Sequence, residues 1–259
     1  MEDNNERVRF DALNLHPDVM DAVDAMGFQE ATPIQSQSIP KILAGQDLMG
    51  IAQTGTGKTG AFLLPTIDRI LDTPDNGKIK ALIVVPTREL AQQIDQAVEG
   101  FGYYAKVTSL AIYGGGSGQD FSREKKALTK GADIIIATPG RFLSHLTLGY
   151  VDLSELTCLI LDEADRMLDM GFHGDIMRIA EKCKKDRQTL LFSATMPKSI
   201  AELAESFLRD AIMVDVSPEE ITVERIEQKI MFLRKADKRR LLVQLIKDER
   251  VKCGIVFTR

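Results

Sequence analysis

Short apolar runs alternate with amphipathic segments along most of the chain. Between the apolar runs, apolar residues recur at helical spacing over Lys58–Leu71, Arg88–Phe101, Gly118–Thr129 and Ser199–Leu208. Near-continuous apolar strands separated by helices are typical of a parallel sheet covered on both faces. The pattern predicts a doubly wound, mostly parallel α/β domain whose ligands bind beyond the carboxyl ends of the strands. The predicted strands are Leu48–Ala52, Ala81–Pro86, Ser109–Tyr113, Ile134–Thr138, Cys158–Asp162, Thr189–Ser193 and Ile212–Val216.

The alternation breaks after Val216, where Ser-Pro-Glu-Glu indicates a linker over 217–224. Residues 1–216 are therefore expected to form the first domain. Residues 225–259 contain too few elements for a core of their own, so we expect them to be the beginning of a second, incomplete α/β domain. Its predicted elements are a strand at Ile226–Leu233, a helix at Lys238–Lys247 and a strand at Gly254–Thr258.

Composition narrows the class of protein. A hydrophobic content of 44% over 259 residues is ordinary for a globular protein with a real core. Cys158, Cys183 and Cys253 are too few and too scattered for a disulfide framework or a metal site, which favours reduced thiols. The polar segment Met1–Arg9 does not resemble a secretory signal, and no apolar run approaches the roughly 20 residues of a membrane helix. We therefore expect a cytoplasmic protein without membrane contact.

Charge is distributed unevenly. The net charge is −5, yet residues 225–259 hold 11 Lys and Arg against 4 Asp and Glu. A basic piece of this kind suits a polyanionic partner. A solvated helix face that carries Lys235, Lys238, Arg239 and Arg240 explains the same pattern equally well.

The segment 52–59 reads Ala-Gln-Thr-Gly-Thr-Gly-Lys-Thr and lies between a predicted strand and a predicted helix. A glycine-bearing turn in that position points several backbone N–H groups into one concavity, which suits a phosphate. Lys58 can reach the β- and γ-phosphates, and the Thr59 hydroxyl can ligate Mg²⁺. A glycine-rich hairpin or linker would explain the glycines but not the Lys-Thr pair. The predicted nucleotide-binding residues of the loop are Thr54, Gly55, Thr56, Gly57, Lys58 and Thr59.

Asp162-Glu163-Ala164-Asp165 follows an apolar strand. A carboxylate at such a strand end is where a P-loop enzyme holds Mg²⁺, which predicts this role for Asp162. Glu163, one residue on, is placed to orient and deprotonate an attacking water. The alternative is an acidic helix start, since carboxylates favour the first turn of a helix.

Together these segments resemble the DEAD-box ATP-dependent RNA helicase family over nearly the whole chain. The resemblance implies a RecA-like P-loop NTPase domain followed by the start of a second such domain, with ATP or ADP and Mg²⁺ as cofactors. It also implies an ATP-hydrolysing enzyme that contacts RNA without sequence preference. We expect a monomer. The matching segments are Gln35, AQTGTGKT (52–59), PTRELA (86–91), GGG (114–116), TPGR (138–141), DEAD (162–165), SAT (193–195) and IVFTR (255–259).

The resemblance implies an adenine-recognition segment at about residues 10–37. Gln35, in GFQEATPIQ (27–35), would pair with the adenine edge, because an amide offers one donor and one acceptor in matching positions. Phe10 would stack on the base, or else serve as an apolar anchor for the N-terminal arm.

The remaining roles also follow from the resemblance. Lys58, Asp162 and Glu163 would be catalytic. Asp165, Ser193 and Thr195 would couple the nucleotide state to the grip on RNA, although Ser193 and Thr195 could instead cap the next helix. Contacts with RNA phosphates would come from glycine-rich turns and helix starts, which also have a simpler explanation as strand-to-helix turns. The predicted RNA contacts are Thr87, Arg88, Gly115, Thr138, Gly140 and Arg141.

The implied activity is ATP hydrolysis coupled to local unwinding of an RNA duplex. In this family a second domain supplies arginines that stabilise the transferring phosphate, and this chain carries only the start of that domain. We therefore expect this chain alone to bind nucleotide but to hydrolyse and unwind poorly. A nucleotide-gated RNA clamp is the main alternative. Gln35 together with the DEAD tetrapeptide argues against a DNA helicase or another P-loop ATPase.

Overall fold

A computed structural model describes residues 8–115, 118–217, 229–247 and 253–257. The chain divides into two compact units, Met1–Ser217 and Pro218–Arg259. The boundary between them falls within the segment 217–224 that the sequence pattern indicates as a linker.

Every strand predicted for the first domain is present. Most of them end one or two residues earlier than predicted, because the chain there already turns towards the next helix. The strands are β1 (Leu48–Ile51), β2 (Ala81–Val84), β3 (Ser109–Ile112), β4 (Ile134–Ala137), β5 (Cys158–Leu161), β6 (Gln188–Ser193) and β7 (Ile212–Asp215).

These strands form one sheet in the order β3-β4-β2-β5-β6-β1-β7, and every pairing between these seven strands is parallel. In register, Ile51 of β1 lies beside Ser193 of β6, and Leu161 of β5 lies beside Leu191. The predicted parallel sheet is therefore confirmed. Because the strands share one direction, their carboxyl ends share one edge.

Helices connect consecutive strands. The predicted helices after β1, β2, β3 and β6 are found within one residue of their expected ends. Pro33 and Pro139 each stand at the first position of a helix, where the missing N–H removes no hydrogen bond. The helices of this unit are α1 (Pro17–Ala25), α2 (Pro33–Leu43), α3 (Lys58–Leu71), α4 (Arg88–Phe101), α5 (Gly118–Lys130), α6 (Pro139–Thr147), α7 (Ala164–Asp169), α8 (His173–Lys182) and α9 (Lys198–Phe207).

The core consists of two apolar clusters, and successive side chains of β4 belong alternately to one and to the other. Ile134 and Ile136 belong to one cluster, whereas Ile135 and Ala137 belong to the other. Side chains of a strand alternate between the two faces of its sheet, so both faces are covered. None of the helices in the described ranges is long and apolar enough to cross a bilayer.

In the second unit, the described residues form a short 3-10 turn at Lys235–Asp237 and α10 (Lys238–Ile246). The predicted strands Ile226–Leu233 and Gly254–Thr258 are not strands at 229–233 and 254–257, and their other residues lie outside the described part. An apolar run becomes a strand only when it pairs with a neighbour, and the side chains of Phe232 and Phe257 are fully exposed here.

Gly50 tests how tightly the sheet packs. A methyl group at this position of β1 would lie 2.5 Å from the ring of Phe192, which is buried and packs against Phe62 with ring centroids 5.3 Å apart. We expect Gly50→Ala to lower the free energy of unfolding by about 1–3 kcal/mol, as overpacking does. Chemical denaturation measures this loss.

Gly174→Ala is the matched control, because a methyl group there meets no atom within 4 Å and the residue lies in α8. It should leave stability unchanged or raise it, since alanine favours a helix over glycine. Equal stability of Gly50→Ala and the parent chain would contradict the packing described here.

Candidate functional site

The carboxyl edge of the sheet gathers six of the predicted motifs, whereas IVFTR (255–259) belongs to the second unit. Strand order, rather than chain order, decides which of them are neighbours. The motifs predicted to bind nucleotide lie at one end of this edge, those predicted to bind RNA lie at the other, and DEAD and SAT lie between them. Along the edge the order is 52–59 after β1, 193–195 at β6, 162–165 after β5, 86–91 after β2, 138–141 after β4 and 113–115 after β3.

The loop 52–59 is a turn that glycine makes possible. Gly55 and Gly57 have φ of 84° and 93°, in the left-handed region that glycine adopts without strain, and α3 begins directly after Gly57. The Lys58 side chain is buried, and its Nζ donates to the carbonyl oxygen of Ala52 at 2.8 Å. An anion in the loop would offer this ammonium a charged acceptor, and such hydrogen bonds are the stronger kind. The loop therefore fits a phosphate group.

Gln35 joins the start of α2 to this loop. Its Oε1 accepts from the backbone N–H of Thr32 at 2.9 Å, and its Nε2 donates to the carbonyl oxygen of Gly57 at 3.1 Å. The first contact is the half of a capping box in which the Gln35 side chain satisfies the backbone N–H of the N-cap residue. An amide has a further N–H and a further lone pair, so an adenine edge can still be read.

Gly60 is a residue that the sequence reasoning missed. A methyl group on it would lie 2.7 Å from Nε2 of Gln35, and one on Gly57 would lie 2.8 Å from the same atom. Both glycines therefore leave room for the Gln35 amide. The sequence features that could have identified Gly60 are the Thr-x-x-Gln pattern at 32–35 and the position of this glycine directly after Lys-Thr.

Phe10 lies in the apolar core and is only 3% exposed. The adjacent backbone is held to the segment before α2, since the N–H of Ala31 donates to the carbonyl of Val8 at 2.8 Å. This arrangement favours the apolar-anchor alternative. Stacking of Phe10 on a base stays a prediction that requires the ring to become exposed.

Asp162 is 3% exposed, at the end of β5. Burial raises the pKa of Asp162 to about 6, although Lys58 and the N–H of Glu163, which donates to Oδ1 at 2.9 Å, act to lower it. A cation beside the carboxylate would favour its ionised form. Among the residues that the structure describes, no group of three or more His, Cys, Asp or Glu side chains is arranged to hold a metal ion. Mg²⁺ commonly uses one or two carboxylates with substrate phosphates and waters, so Asp162 and Thr59 fit it.

Glu163 precedes α7 in a left-handed conformation, with φ 51° and ψ 49°. This conformation costs a non-glycine residue on the order of 1–3 kcal/mol and persists only where the surroundings impose it. The carboxylate accepts from Nη1 of Arg166 at 3.1 Å and stays partly exposed. The turn thus places the Glu163 carboxylate in a partly exposed position, whereas that of the adjacent Asp162 is buried.

Asp165 connects DEAD to SAT. Its Oδ2 accepts from the backbone N–H groups of Ala194 and Thr195 at 3.2 and 3.0 Å, and from the Thr195 hydroxyl at 2.9 Å. The Ser193 hydroxyl donates to the carbonyl oxygen of Thr195 at 2.7 Å. The structure thus brings the three predicted coupling residues together. The alternative that they cap the next helix is not seen, because α9 has Pro197 at its N-cap and no side-chain cap.

The residues predicted to contact RNA differ in exposure. Arg88 is exposed, and its guanidinium carbon lies 4.8 Å from the centre of the Tyr113 ring. Gly115, with φ 93°, and Gly140 are also exposed, whereas Thr87 and Thr138 are half-buried at the N-caps of α4 and α6. Arg141 departs from the expectation, because its side chain is 16% exposed and its Nε donates to Glu124 at 2.7 Å.

Comparison with known proteins places the chain in a family. The chain is 41% identical over 252 residues to the DEAD-box ATP-dependent RNA helicase CshA of Bacillus subtilis, an alignment that covers 97% of this chain and 50% of that protein. It is 42% identical over 250 residues to the protein of the same name from Geobacillus kaustophilus, with 96% and 52% covered. The chain thus spans about half the length of these relatives.

A solved structure supports the same assignment. A DEAD box protein from the hyperthermophile Methanococcus jannaschii matches with a TM-score of 0.76 and 36% identity, over 93% of this chain and 63% of that one. This likeness confirms the RecA-like fold that the sequence resemblance implied. The family model described as DEAD/DEAH box helicase matches residues 32–203, which is more than half of the chain. The chain therefore belongs to the DEAD/DEAH box helicase family.

Proposed function

We propose that this chain is the ATP-binding part of an ATP-dependent RNA helicase, which couples ATP hydrolysis to local unwinding of an RNA duplex. One observation carries the proposal. The sheet order puts the 52–59 loop, SAT, DEAD and the turns at 86–91, 138–141 and 113–115 next to one another along a single edge, with Asp165 of DEAD and Thr195 of SAT hydrogen-bonded to each other.

The nucleotide would bind at the β1 end of this edge. Lys58 and the N–H groups of the loop would hold its phosphates, and Gln35 would read its adenine. Mg²⁺ held by Thr59 and Asp162 would neutralise charge on the phosphates. Glu163 would orient a water molecule and accept its proton, because the left-handed turn leaves this carboxylate partly exposed.

RNA would bind at the β2–β4–β3 end. Exposed backbone at Gly115 and Gly140 and the side chain of Arg88 suit contacts with sugar and phosphate, which carry no sequence information. RNA is therefore the proposed partner, bound without sequence preference by a monomer.

Hydrolysis by this chain alone should be slow. Transition-state arginines are worth roughly 10³–10⁵ in rate in phosphoryl-transfer enzymes, and in this family the second domain provides them. The described residues of the second unit form a 3-10 turn and one helix. Nucleotide binding with weak turnover is the activity we propose for this chain.

Glu163→Gln separates an enzyme from a nucleotide-gated RNA clamp. Loss of the general base should lower single-turnover ATP hydrolysis by about 10²–10⁴-fold, while ATP affinity changes little. Phosphate release at excess enzyme measures the rate, and titration with a fluorescent ATP analogue measures binding. Glu202→Gln on α9, an exposed carboxylate paired with Lys198, is the matched control. Unchanged turnover in Glu163→Gln, with RNA binding still dependent on ATP, would instead support the clamp.

Gly60→Ala tests the reading of adenine by Gln35. The methyl group would displace the Gln35 amide, a flexible side-chain end, so the fold should persist. We expect the preference for adenosine over guanosine diphosphate to fall towards that of Gln35→Ala. Fluorescence titration with both nucleotides measures the preference. If Gly60→Ala keeps the parent preference while Gln35→Ala loses it, then the position of the amide in this structure is not the one that reads the base.

Gly140→Ala tests the RNA face. A methyl group there would meet only Asp175 Oδ2, at an ordinary 3.8 Å, and alanine favours a helix by about 1 kcal/mol, so stability should hold or rise. RNA affinity should nevertheless fall, because the methyl group blocks close approach to the backbone. Fluorescence anisotropy with a single-stranded RNA measures this, with Gly174→Ala as the control. Full RNA affinity in Gly140→Ala would remove this turn from the proposed interface.

A further inference from the structure

Arg141 lies in a side-chain cluster between α5 and α6, made of Phe121, Glu124, Arg141, His145 and Tyr150. Its Nε donates to Glu124 Oε2 at 2.7 Å, and its guanidinium carbon lies 4.6 Å from the centre of the Phe121 ring. The side chain is 16% exposed, whereas the side chain of Arg178 on α8 is 62% exposed. Arg141 is thus held from two sides.

The same carboxylate oxygen also binds His145. His145 Nε2 lies 2.8 Å from Glu124 Oε2, and its Nδ1 is hydrogen-bonded to the Tyr150 hydroxyl. An ionised carboxylate only accepts, so Nε2 carries the hydrogen, and in a neutral ring Nδ1 accepts from Tyr150. The imidazole is fully buried and stacks on Phe121, with ring centroids 4.1 Å apart. Two contacts of His145, with Glu124 and with Phe121, therefore add to the two of Arg141 in holding α5 against α6.

The charge of Arg141 is balanced inside this cluster. Glu124 is 13% exposed and pairs with Arg141 at the shorter end of the ion-pair range. Arg141 Nη2 is buried and has no hydrogen-bond partner in the structure. The Glu124 carboxylate offsets the guanidinium charge, and burial keeps the Nη2 donor away from solvent, so Arg141 attracts a phosphate less than a free arginine does.

The first turn of α6, in contrast, is open. Thr138 is the N-cap and makes no side-chain cap hydrogen bond, and Gly140 is exposed. Backbone N–H groups in such a turn have no partner within the helix. Arg141 belongs to the same turn. Holding its side chain against α5 therefore also holds the direction in which the backbone N–H groups of this turn point.

We infer that Arg141 is a positioning residue for RNA binding, and that Glu124 and Phe121 hold it in place. The guanidinium fixes the first turn of α6 against α5, and the backbone at Thr138–Gly140 contacts the RNA. This inference rests on the proposed function, because it assigns how the RNA face is built.

Glu124→Leu distinguishes a positioning role of Arg141 from direct contact with RNA, because the two predict opposite changes in RNA affinity. A positioning role predicts that RNA affinity falls, by about tenfold for the loss of one well-oriented contact. Direct contact predicts equal or tighter binding, since an acidic neighbour of Arg141 is gone. Glu124→Gln keeps an acceptor for Arg141 and His145, so under positioning it restores most of the affinity. Anisotropy with a single-stranded RNA measures all three chains.

Arg141→Gln adds a second readout, the dependence of RNA affinity on salt. A direct phosphate contact would lower the slope of log affinity against log salt by about 0.7 for a single strand. Positioning leaves the slope unchanged while affinity falls. Arg178→Gln, at an exposed arginine paired with Asp175, is the matched control. Affinity for adenosine diphosphate should stay at the parent value in every variant, which shows that the fold is intact.

Hydrogen exchange tests the inference without RNA. Amides of 138–146 should exchange faster in Glu124→Leu than in the parent chain, and Glu124→Gln should restore slow exchange. Unchanged exchange in Glu124→Leu, or unchanged RNA affinity, would overturn the positioning role. If the parent chain fails to bind RNA, the proposed function fails, whereas the exchange result still decides whether this cluster orders α6. Should Glu124→Leu not fold, Phe121→Leu takes its place.

Discussion

Parallel strand direction is the constraint on which the site depends. Every loop that follows a strand of the described sheet opens at the same edge, so segments more than a hundred residues apart in the chain become neighbours there. Strand order then decides which segments meet. Because β6 lies between β1 and β5, the SAT segment is placed between the phosphate loop and DEAD. The same order separates the proposed nucleotide and RNA ends, with Asp165 bridging the strands between them.

The buried layers on each side make this edge rigid enough to hold short contacts. β4 supplies alternate side chains to both apolar clusters, and Gly50 lets Phe192 pack directly against β1. The loop at 52–59 is held from within by Lys58 and from outside by Gln35. These contacts hold the loop through groups of the chain itself. Binding would then replace internal hydrogen bonds rather than create order in a flexible loop, which reduces the entropic cost of binding.

Much of this could be predicted from the sequence, because hydrophobic periodicity and the phosphate loop are local signals. The strands of the first unit and α3 follow directly from them. The sequence left base stacking and an apolar anchor both open for Phe10 and did not indicate the burial of Arg141, since burial depends on contacts with α2 and α5 that only the folded chain defines. The apolar runs predicted as strands at Ile226–Leu233 and Gly254–Thr258 are a second case in which local pattern was not enough, since their described residues 229–233 and 254–257 are not strands. Their pattern suits a strand, yet a strand also needs a paired neighbour.

The tetrapeptide at 162–165 shows how backbone geometry assigns different chemistry to similar side chains. Asp162 ends β5 and is buried, where a cation would offset the desolvation that raises its pKa. One residue later the chain turns left-handed, which directs Glu163 to a partly exposed position. Asp165 lies in the first turn of α7, where one carboxylate oxygen accepts three hydrogen bonds from 194–195. A glutamate at 165 would place its oxygens one methylene too far out for the hydrogen bonds from 194–195. An aspartate at 163 would reach one methylene less far towards Arg166. Three carboxylates within four residues therefore meet three different surroundings, because the left-handed turn at Glu163 lies between the buried strand end and α7.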